Sequence, residues 1–225
     1  AMTNLANLAD TGAVQPILSL LSDKDPAIRG AAADALGYFN DNSSIEPLIT
    51  LLKDSDISVR CYAVDSLGYL KDERAVEPLI SLLKDSDISV KAKAAEALGN
   101  LVAKKAFPLL VELLKDQNTD VQQTAMKALG NLIDEDSVEP LLKLLTDEAP
   151  ELRRFAADKL GDCGNETVVE PLVKALDDND SQVRSFAAAS LGYTGSQKAV
   201  EPLIKILSDK DKDVRCYAVI SLGYI

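Results

Sequence analysis

The chain has 225 residues, of which 47% are apolar and 27% are charged, as is typical of a folded globular protein. Its 24 basic and 36 acidic residues give a formal net charge of −12, which disfavours a nucleic-acid partner. Histidine is absent, which excludes Ser-His-Asp and Cys-His catalysis and every histidine-ligated metal site. The three cysteines, Cys61, Cys163 and Cys216, form no close pair, so they predict neither a zinc site nor a disulfide framework.

Hydropathy and the first residues set expectations about location. The sequence contains no run of about 18 apolar residues, so we expect no membrane-spanning helix and no membrane partner. No basic stretch followed by an apolar one stands near the beginning, so we expect no secretory signal and a cytoplasmic location. With no histidine and no cysteine pair, we also expect neither a metal nor a cofactor.

The first predicted element is a short segment that resembles the end of a helix. Leu5 and Leu8 lie at positions that are apolar in the repeats that follow, so residues 1–8 are predicted to be a partial helix remnant. Residues 9–225 are predicted to form a single domain, because one pattern continues through them without a shift of register.

That pattern is a repeat of 31 residues, present seven times. A Leu-Gly dipeptide marks each copy, and an aspartate and an aliphatic residue recur with the same spacing. The three columns are Gly37, Gly68, Gly99, Gly130, Gly161, Gly192 and Gly223; Asp23, Asp54, Asp85, Asp116, Asp147, Asp178 and Asp209; and Ile28, Val59, Val90, Val121, Leu152, Val183 and Val214. Copies in one register are typical of a solenoid, in which each repeat contacts only its neighbours.

Each copy contains two amphipathic segments, as the third copy illustrates. Apolar residues within 76–83 and within 90–101 recur with the 3.6-residue period of an α-helix, and neither segment alternates as a strand does. An aspartate before the second segment is predicted to cap that helix, whereas Ala149 predicts a weaker cap in repeat five. The capping residues are Asp25, Asp56, Asp87, Asp180 and Asp211. The sequence therefore predicts an all-α fold, an α-solenoid of seven helix-pair repeats with about 14 helices.

Two motifs carry a resemblance to a known family. The stretch AVEPLIxLLxD at residues 75–85 and the pattern VRxxAAxALGxL at residues 59–70 resemble the HEAT repeat superfamily. The similarity is greatest to its short form of 31 residues, the phycobilisome-lyase HEAT-like repeat, and covers the chain from about residue 9. This resemblance implies a right-handed superhelix whose second helices line the concave side, and it implies a protein-binding role.

Repeat four departs from the pattern. Pro108 stands at the position that Glu77 holds in repeat three, and Asn118 replaces the capping aspartate. One position of the second helix is arginine in five of the seven repeats: Arg29, Arg60, Arg153, Arg184 and Arg215. The same position is Lys91 in repeat three and Gln122 in repeat four. We expect these arginines to pair with capping aspartates across repeats, and we predict a softer or differently bent stack at repeat four.

Aromatic residues are concentrated at two positions of the second helix. On a helical wheel at about 100° per residue, the third and tenth positions after the aliphatic column point away from the core. All six tyrosines and two of the four phenylalanines lie there: Tyr38, Tyr62, Tyr69, Phe155, Phe186, Tyr193, Tyr217 and Tyr224. We predict that they anchor a partner. The alternative is that they are packing spacers between second helices, although repeats three and four carry no aromatic residue at either position.

Acidic residues share the same outward arc. Asp34, Asp65, Glu96 and Asp158 occupy the sixth position after the aliphatic column. One interpretation is the ordinary solvated face of an acidic protein, and the other is a partner that presents basic groups between its apolar anchors. Together with the aromatic residues, they predict a non-enzymatic scaffold that binds a protein or peptide with apolar and basic groups.

Two further functions stay open at this point. The resemblance implies an alternative role as a bilin lyase or a phycobiliprotein-turnover factor, in which an aromatic groove would hold a tetrapyrrole. Because Cys61 and Cys216 have no histidine to activate their thiols, we expect no catalytic residue.

Residues 222–225 carry no polar cap, so we expect either a longer array or end-to-end self-association through uncapped terminal repeats.

Overall fold

The computed structural model describes residues 11–164 and 166–225, and the predicted helix remnant at residues 1–8 lies outside these ranges. Within them the chain forms fourteen α-helices and no strand. The helices follow one another as seven pairs: α1 (Val14–Leu20) and α2 (Pro26–Phe39), α3 (Ile45–Leu51) and α4 (Ile57–Leu70), α5 (Val76–Leu82) and α6 (Ile88–Asn100), α7 (Phe107–Leu113) and α8 (Thr119–Gly130), α9 (Val138–Leu144) and α10 (Pro150–Asp162), α11 (Val169–Ala175) and α12 (Ser181–Thr194), and α13 (Val200–Lys205) and α14 (Lys212–Tyr224). The predicted all-α solenoid is confirmed.

The first helix of each pair is short, with six or seven residues. In α3 the proline of the repeated Glu-Pro-Leu motif, Pro47, is the third residue of the helix. Proline is tolerated in the first turn because the backbone N–H groups there have no partner within the helix. Leu48 and Leu51 of the same helix are buried against the second helix of the pair. The motif therefore provides both the start of the helix and its contribution to the core.

Side-chain caps begin the second helices as the sequence predicts. Asp56 accepts hydrogen bonds from the backbone N–H groups of Ser58 and Val59, at 2.9 and 3.2 Å. Asp87, Asp180 and Asp211 cap their helices in the same way, and Asp25 caps α2 with one bond, from the backbone N–H of Ala27. Ala149 makes no side-chain cap, also as predicted. Asn118 caps α8 through its side-chain oxygen, so the change from aspartate in repeat four preserves the cap.

The chain divides into two compact units between Leu132 and Ile133. Unit 1 contains the described repeats one to four, and unit 2 contains repeats five to seven. Inside each unit, every second helix packs against the second helix of the next repeat, which covers its alanine and valine side chains. The division follows repeat four, and the softer stack expected there stays a prediction.

Arginine–aspartate bridges join successive repeats within each unit. Arg29 donates from Nε and Nη2 to the two carboxylate oxygens of Asp54, both at 2.8 Å, and from Nη1 to the backbone oxygen of Asp23 at 2.8 Å. One guanidinium therefore forms hydrogen bonds both to the turn between the two helices of its own repeat and to the equivalent turn of the next repeat. The equivalent arginine bridges are Arg60–Asp85, Arg153–Asp178 and Arg184–Asp209, and a lysine bridge, Lys91–Asp116, stands at the same place in repeat three.

The predicted partner of these arginines was wrong. Four of them pair with the aspartate that lies two residues before the cap, since Asp54 receives Arg29 while Asp56 caps α4, and Arg215 of the last repeat bonds only to the backbone of its own turn. Asp54 also accepts the backbone N–H of Asp56, which orders the turn and presents its carboxylate to the previous repeat. In repeat four this aspartate, Asp116, is present and paired with Lys91. Only the arginine itself is lost there, because Gln122 keeps just the bond to the backbone of its own turn.

A first prediction concerns the acid stability of unit 2. Hydrogen bonds from Arg154 lower the pKa of Asp180 from 3.8 to about 2, against the opposing effect of burial. A lowered pKa in the folded state stabilises the protein above pH ~4, and this contribution is lost as the pH falls from ~4 towards 2. Asp180→Asn keeps the helix cap but removes the charge, so it should lower the free energy of unfolding by about 1–2 kcal/mol at pH 7.

Urea unfolding of both proteins between pH 2 and pH 7 tests this expectation. The difference between wild type and Asp180→Asn should shrink towards zero as the pH approaches 2. Asp177→Asn, at an exposed neighbouring position, is the matched control and should change stability little at any pH. A difference for Asp180→Asn that is the same at every pH would show that the ion pair does not stabilise the fold.

A second prediction concerns the glycine column. A Cβ atom on Gly192 would lie 2.6 Å from the hydroxyl and 2.9 Å from the Cα of Ser221, whereas one on Gly223 meets no atom of the described residues within 4 Å. Gly192→Ala should therefore separate α12 from α14 and lower stability by about 1–3 kcal/mol. Gly223→Ala should be neutral or slightly stabilising because alanine favours the helix. Equal effects in thermal unfolding would contradict the close approach.

Candidate functional site

Two pairs of stacked tyrosines lie on the second-helix face, one pair in each unit. The ring centroids of Tyr38 and Tyr69 are 6.2 Å apart with an interplanar angle of 24°, and those of Tyr193 and Tyr224 are 6.4 Å apart at 22°. The four tyrosine residues are 57%, 65%, 68% and 68% exposed, in that order. All four stand at the tenth position of the repeat, and all point into solvent as the sequence predicts.

Close helix contacts bring these rings together. Each tyrosine directly follows a glycine of the Leu-Gly column. A Cβ atom on Gly37 would lie 2.7 Å from the hydroxyl and 2.9 Å from the Cα of Ser66, so α2 and α4 approach closely only because this residue is glycine. The Ser66 hydroxyl donates to the backbone oxygen of Ala33 at 2.8 Å and secures the contact. The equivalent bond in unit 2 joins Ser221 to Ala188.

The aromatic residues at the third position after the aliphatic column differ in how far they are exposed. Tyr62 and Tyr217 are exposed, and Phe186 is half-buried. The Tyr62 ring covers Gly30 of the preceding second helix, where a Cβ atom would lie 2.8 Å from it. Tyr62 therefore both packs between helices and presents surface, so the spacer interpretation applies to it in part.

Phe155 corrects the prediction that all eight rings point outward. It is only 4% exposed and belongs to the core of unit 2. The third position lies at the border of the outward arc, where a long side chain can turn either way. A phenyl ring has no hydroxyl to keep in water, and its burial is favourable by about 1.5–3 kcal/mol. Phe155 is therefore unsuited to be an exposed anchor.

The four predicted acidic residues differ in their partners. Asp65 accepts hydrogen bonds from Lys93 Nζ of the next second helix, with a closest approach of 2.6 Å. Asp158 pairs with the adjacent Lys159 at 3.0 Å. Asp34, half-buried, and Glu96, exposed, make no ion pair with any residue that the structure describes. The sequence did not indicate this division, because the pairing of Asp65 depends on a lysine 28 residues away.

Two shallow grooves continue from the Tyr38–Tyr69 pair along unit 1. The first, of about 230 Å³, lies between α4 and α6 and is lined by Asp65, Tyr69, Lys93, Glu96 and Asn100, with two small residues. The second, of about 240 Å³, lies between α6 and α8. Glu96 and Asn100 line both grooves, and Asn131 and Lys127 line the second. This face thus combines aromatic rings, carboxylates and amides.

The described residues include few groups that could serve as a thiol nucleophile or as metal ligands. Burial raises the pKa of both the Cys61 and Cys163 thiols, which disfavours the nucleophilic thiolate. No group of three or more cysteine, aspartate or glutamate side chains within 11–164 and 166–225 is arranged to hold a metal ion. None of the helices in these ranges is long and apolar enough to span a membrane.

Comparison with known protein families supports the fold. A family model described as HEAT repeats matches residues 1–56, 45–120, 107–189 and 169–225, which together span the chain. The predicted resemblance to HEAT repeats is thereby confirmed. No curated protein matches the chain in sequence.

Several solved structures are similar to this one. The Escherichia coli protein YibA is 24% identical with a TM-score of 0.60, over 99% of this chain and 85% of YibA. The complex of CpcE and CpcF of phycocyanin lyase from Nostoc sp. PCC7120 gives 24% identity and a TM-score of 0.54, over 94% of this chain and 86% of that one. An engineered protein is 24% identical with a TM-score of 0.52, over 94% of this chain and 67% of the engineered one. These likenesses show a shared fold alone.

A third prediction separates exposed anchors from packing residues. Tyr38→Ala and Tyr193→Ala should each lower the free energy of unfolding by less than about 1.5 kcal/mol, since each removes one ring contact and little burial. Phe155→Ala should lower it by about 3–5 kcal/mol because it leaves a cavity in the core. Urea unfolding of the three variants measures the contrast. Losses above 3 kcal/mol for the tyrosine variants would identify those rings as structural spacers.

Proposed function

This chain belongs to the HEAT repeat family, and we propose that it is a non-enzymatic scaffold that binds a protein or peptide on its second-helix face. The observation that carries the proposal is the pair of exposed tyrosine stacks, Tyr38–Tyr69 and Tyr193–Tyr224. A scaffold of this kind contributes a rigid, repeated surface, and HEAT repeats supply one by stacking helix pairs.

Exposed tyrosines are well suited to be binding anchors. Each ring leaves more than half of its surface in water, although burial of an aromatic side chain is favourable by about 1.5–3 kcal/mol. Tyrosine has few rotatable bonds and carries a hydroxyl, so a partner can cover the ring at a low entropic cost and still form a hydrogen bond. Tyrosine is enriched among residues that dominate binding energy at protein interfaces.

The grooves of unit 1 add polar recognition to these anchors. Asn100 and Asn131 are exposed, stand at the same repeat position as the tyrosines and line the two grooves. A side-chain amide both donates and accepts hydrogen bonds, so it complements the main chain of an extended peptide. The acidic residues beside them favour basic groups in the partner and would raise the association rate.

An enzymatic role has less support in the described residues. The sequence contains no histidine, and the raised pKa values of Cys61 and Cys163 disfavour thiolate catalysis. The alternative role in bilin attachment or phycobiliprotein turnover rests on the resemblance of the repeats to the phycobilisome-lyase form. The likeness to the CpcE and CpcF complex, at 24% identity, concerns the fold. We therefore favour binding of a protein or peptide without chemistry.

A fourth prediction tests the proposed face. Immobilised wild type should retain a partner from a cell extract that Tyr38→Ala/Tyr69→Ala does not retain, as quantified by mass spectrometry. Titration of the purified partner should show binding about 30-fold weaker or more for the double variant, the effect of losing an interface hot spot.

Leu20→Ala is the matched control, because Leu20 is an exposed apolar residue on the first helix α1. It should retain the partner as wild type does. If the double variant retains the same proteins in the same amounts, the second-helix face is not the binding surface.

A further inference from the structure

The two tyrosine pairs have different chemical surroundings. One helical turn before each tyrosine of the unit 1 pair stands an aspartate, Asp34 before Tyr38 and Asp65 before Tyr69. The equivalent residues of the unit 2 pair are Ala189 and Ile220. Residues four apart on a helix are neighbours on its surface, so the first pair lies beside carboxylates and the second beside apolar groups.

The nearby carboxylates act on one member of the unit 1 pair, Tyr38. The charge of Asp34 is the main cause that raises the pKa of the Tyr38 hydroxyl, with a smaller contribution from Asp65. Asp65 is already paired with Lys93, whereas Asp34 and Glu96 form no ion pair within the described part of unit 1. Glu96 acts on the charge of Lys93 from α6, so Asp34 is the carboxylate beside Tyr38 that remains to accept a cation from outside the chain.

We propose that the Tyr38–Tyr69 pair, with Asp34, is a binding site for a guanidinium group, the side chain of an arginine in the partner. This inference rests on the proposed function and names the chemistry that one anchor site recognises. The unit 2 pair Tyr193–Tyr224 has no carboxylate one turn earlier and is expected not to bind this group.

The geometry of the ring pair fits a cation. A cation is attracted to an aromatic face when it lies within about 6 Å of the ring centroid. Tyr38 and Tyr69 are both exposed, so a guanidinium that stacks on a face of either ring meets this distance for that ring. Guanidinium is planar and weakly hydrated and forms two parallel hydrogen bonds to a carboxylate, so arginine suits stacked rings beside acids better than lysine does.

Lys93 shows that the groove accepts a positive group. Its ammonium lies in the groove lined by Tyr69 and Glu96, where its two hydrogen bonds to Asp65 keep it charged and raise its pKa against the effect of burial. The lysine neutralises Asp65, and its ammonium occupies the groove beside Tyr69. It therefore competes with an incoming guanidinium, and its removal should strengthen binding of that group.

The test uses nuclear magnetic resonance of the full chain with ¹³C-labelled tyrosine. The probe is N-acetyl-L-arginine amide, and the control ligand is N-acetyl-L-citrulline amide, which has nearly the same shape but no charge. We expect the arginine derivative to shift the ring signals of Tyr38 and Tyr69 in a saturable way, with millimolar affinity. The signals of Tyr193 and Tyr224 serve as the internal control and should stay unchanged.

Variants assign the contributions of the charged residues. Asp34→Asn should weaken binding of the arginine derivative about two- to fivefold, the usual effect of one exposed charge pair. Lys93→Gln should strengthen it by a similar factor. Glu112→Gln, which removes an exposed acid on the first helix α7, should leave the affinity as in wild type.

Several results would overturn the inference. These are equal shifts with the citrulline derivative, equal shifts at Tyr193 and Tyr224, or an absence of saturable shifts at Tyr38 and Tyr69. The titration needs no partner protein, so its failure is independent of the pull-down. A failed titration beside a partner that depends on the tyrosines would leave the scaffold function standing and remove the arginine site.

Discussion

The structure depends on a surface that no helix pair can bury by itself. The second helix of one repeat covers the alanine and valine side chains of the previous one, so the core exists only between neighbours. Burial alone would tolerate sliding of one helix along another. The bidentate bond from Arg29 to Asp54, and its counterparts in later repeats, fixes the register because a guanidinium matches a carboxylate in one geometry. The same arginine holds its own turn through Asp23.

The register has a consequence for the surface. Once successive second helices are aligned, residues at the same repeat position become neighbours in space. The glycine at position 37 lets α2 approach α4 so closely that the following residue, Tyr38, stacks on Tyr69. The same arrangement recurs at Gly192 in unit 2. A packing feature of the interior thus creates the exposed aromatic pairs on which binding is proposed to depend.

The repeat also explains how one surface can present different chemistry along its length. The tenth position after the aliphatic column is tyrosine in some repeats and Asn100 or Asn131 in others. The residue one turn earlier sets the charge beside it, without any change to the core. Substitutions at these two positions therefore change the chemistry of the proposed binding face and leave the buried leucines untouched. Separation of the core from the face is physically simple in a helix, because its two sides are about 180° apart.

The sequence by itself determined the fold, the number of repeats, the helix caps and the outward direction of all six tyrosines. These properties follow from periodicity and local hydrogen bonding, which a single chain segment already contains. Only the tertiary structure decided the arginine partners, the burial of Phe155, the stacking of the rings and the pairing of Asp65 with Lys93. Each of these joins or orients side chains across helices, and the distances involved depend on how closely two helices approach, which no periodic pattern specifies.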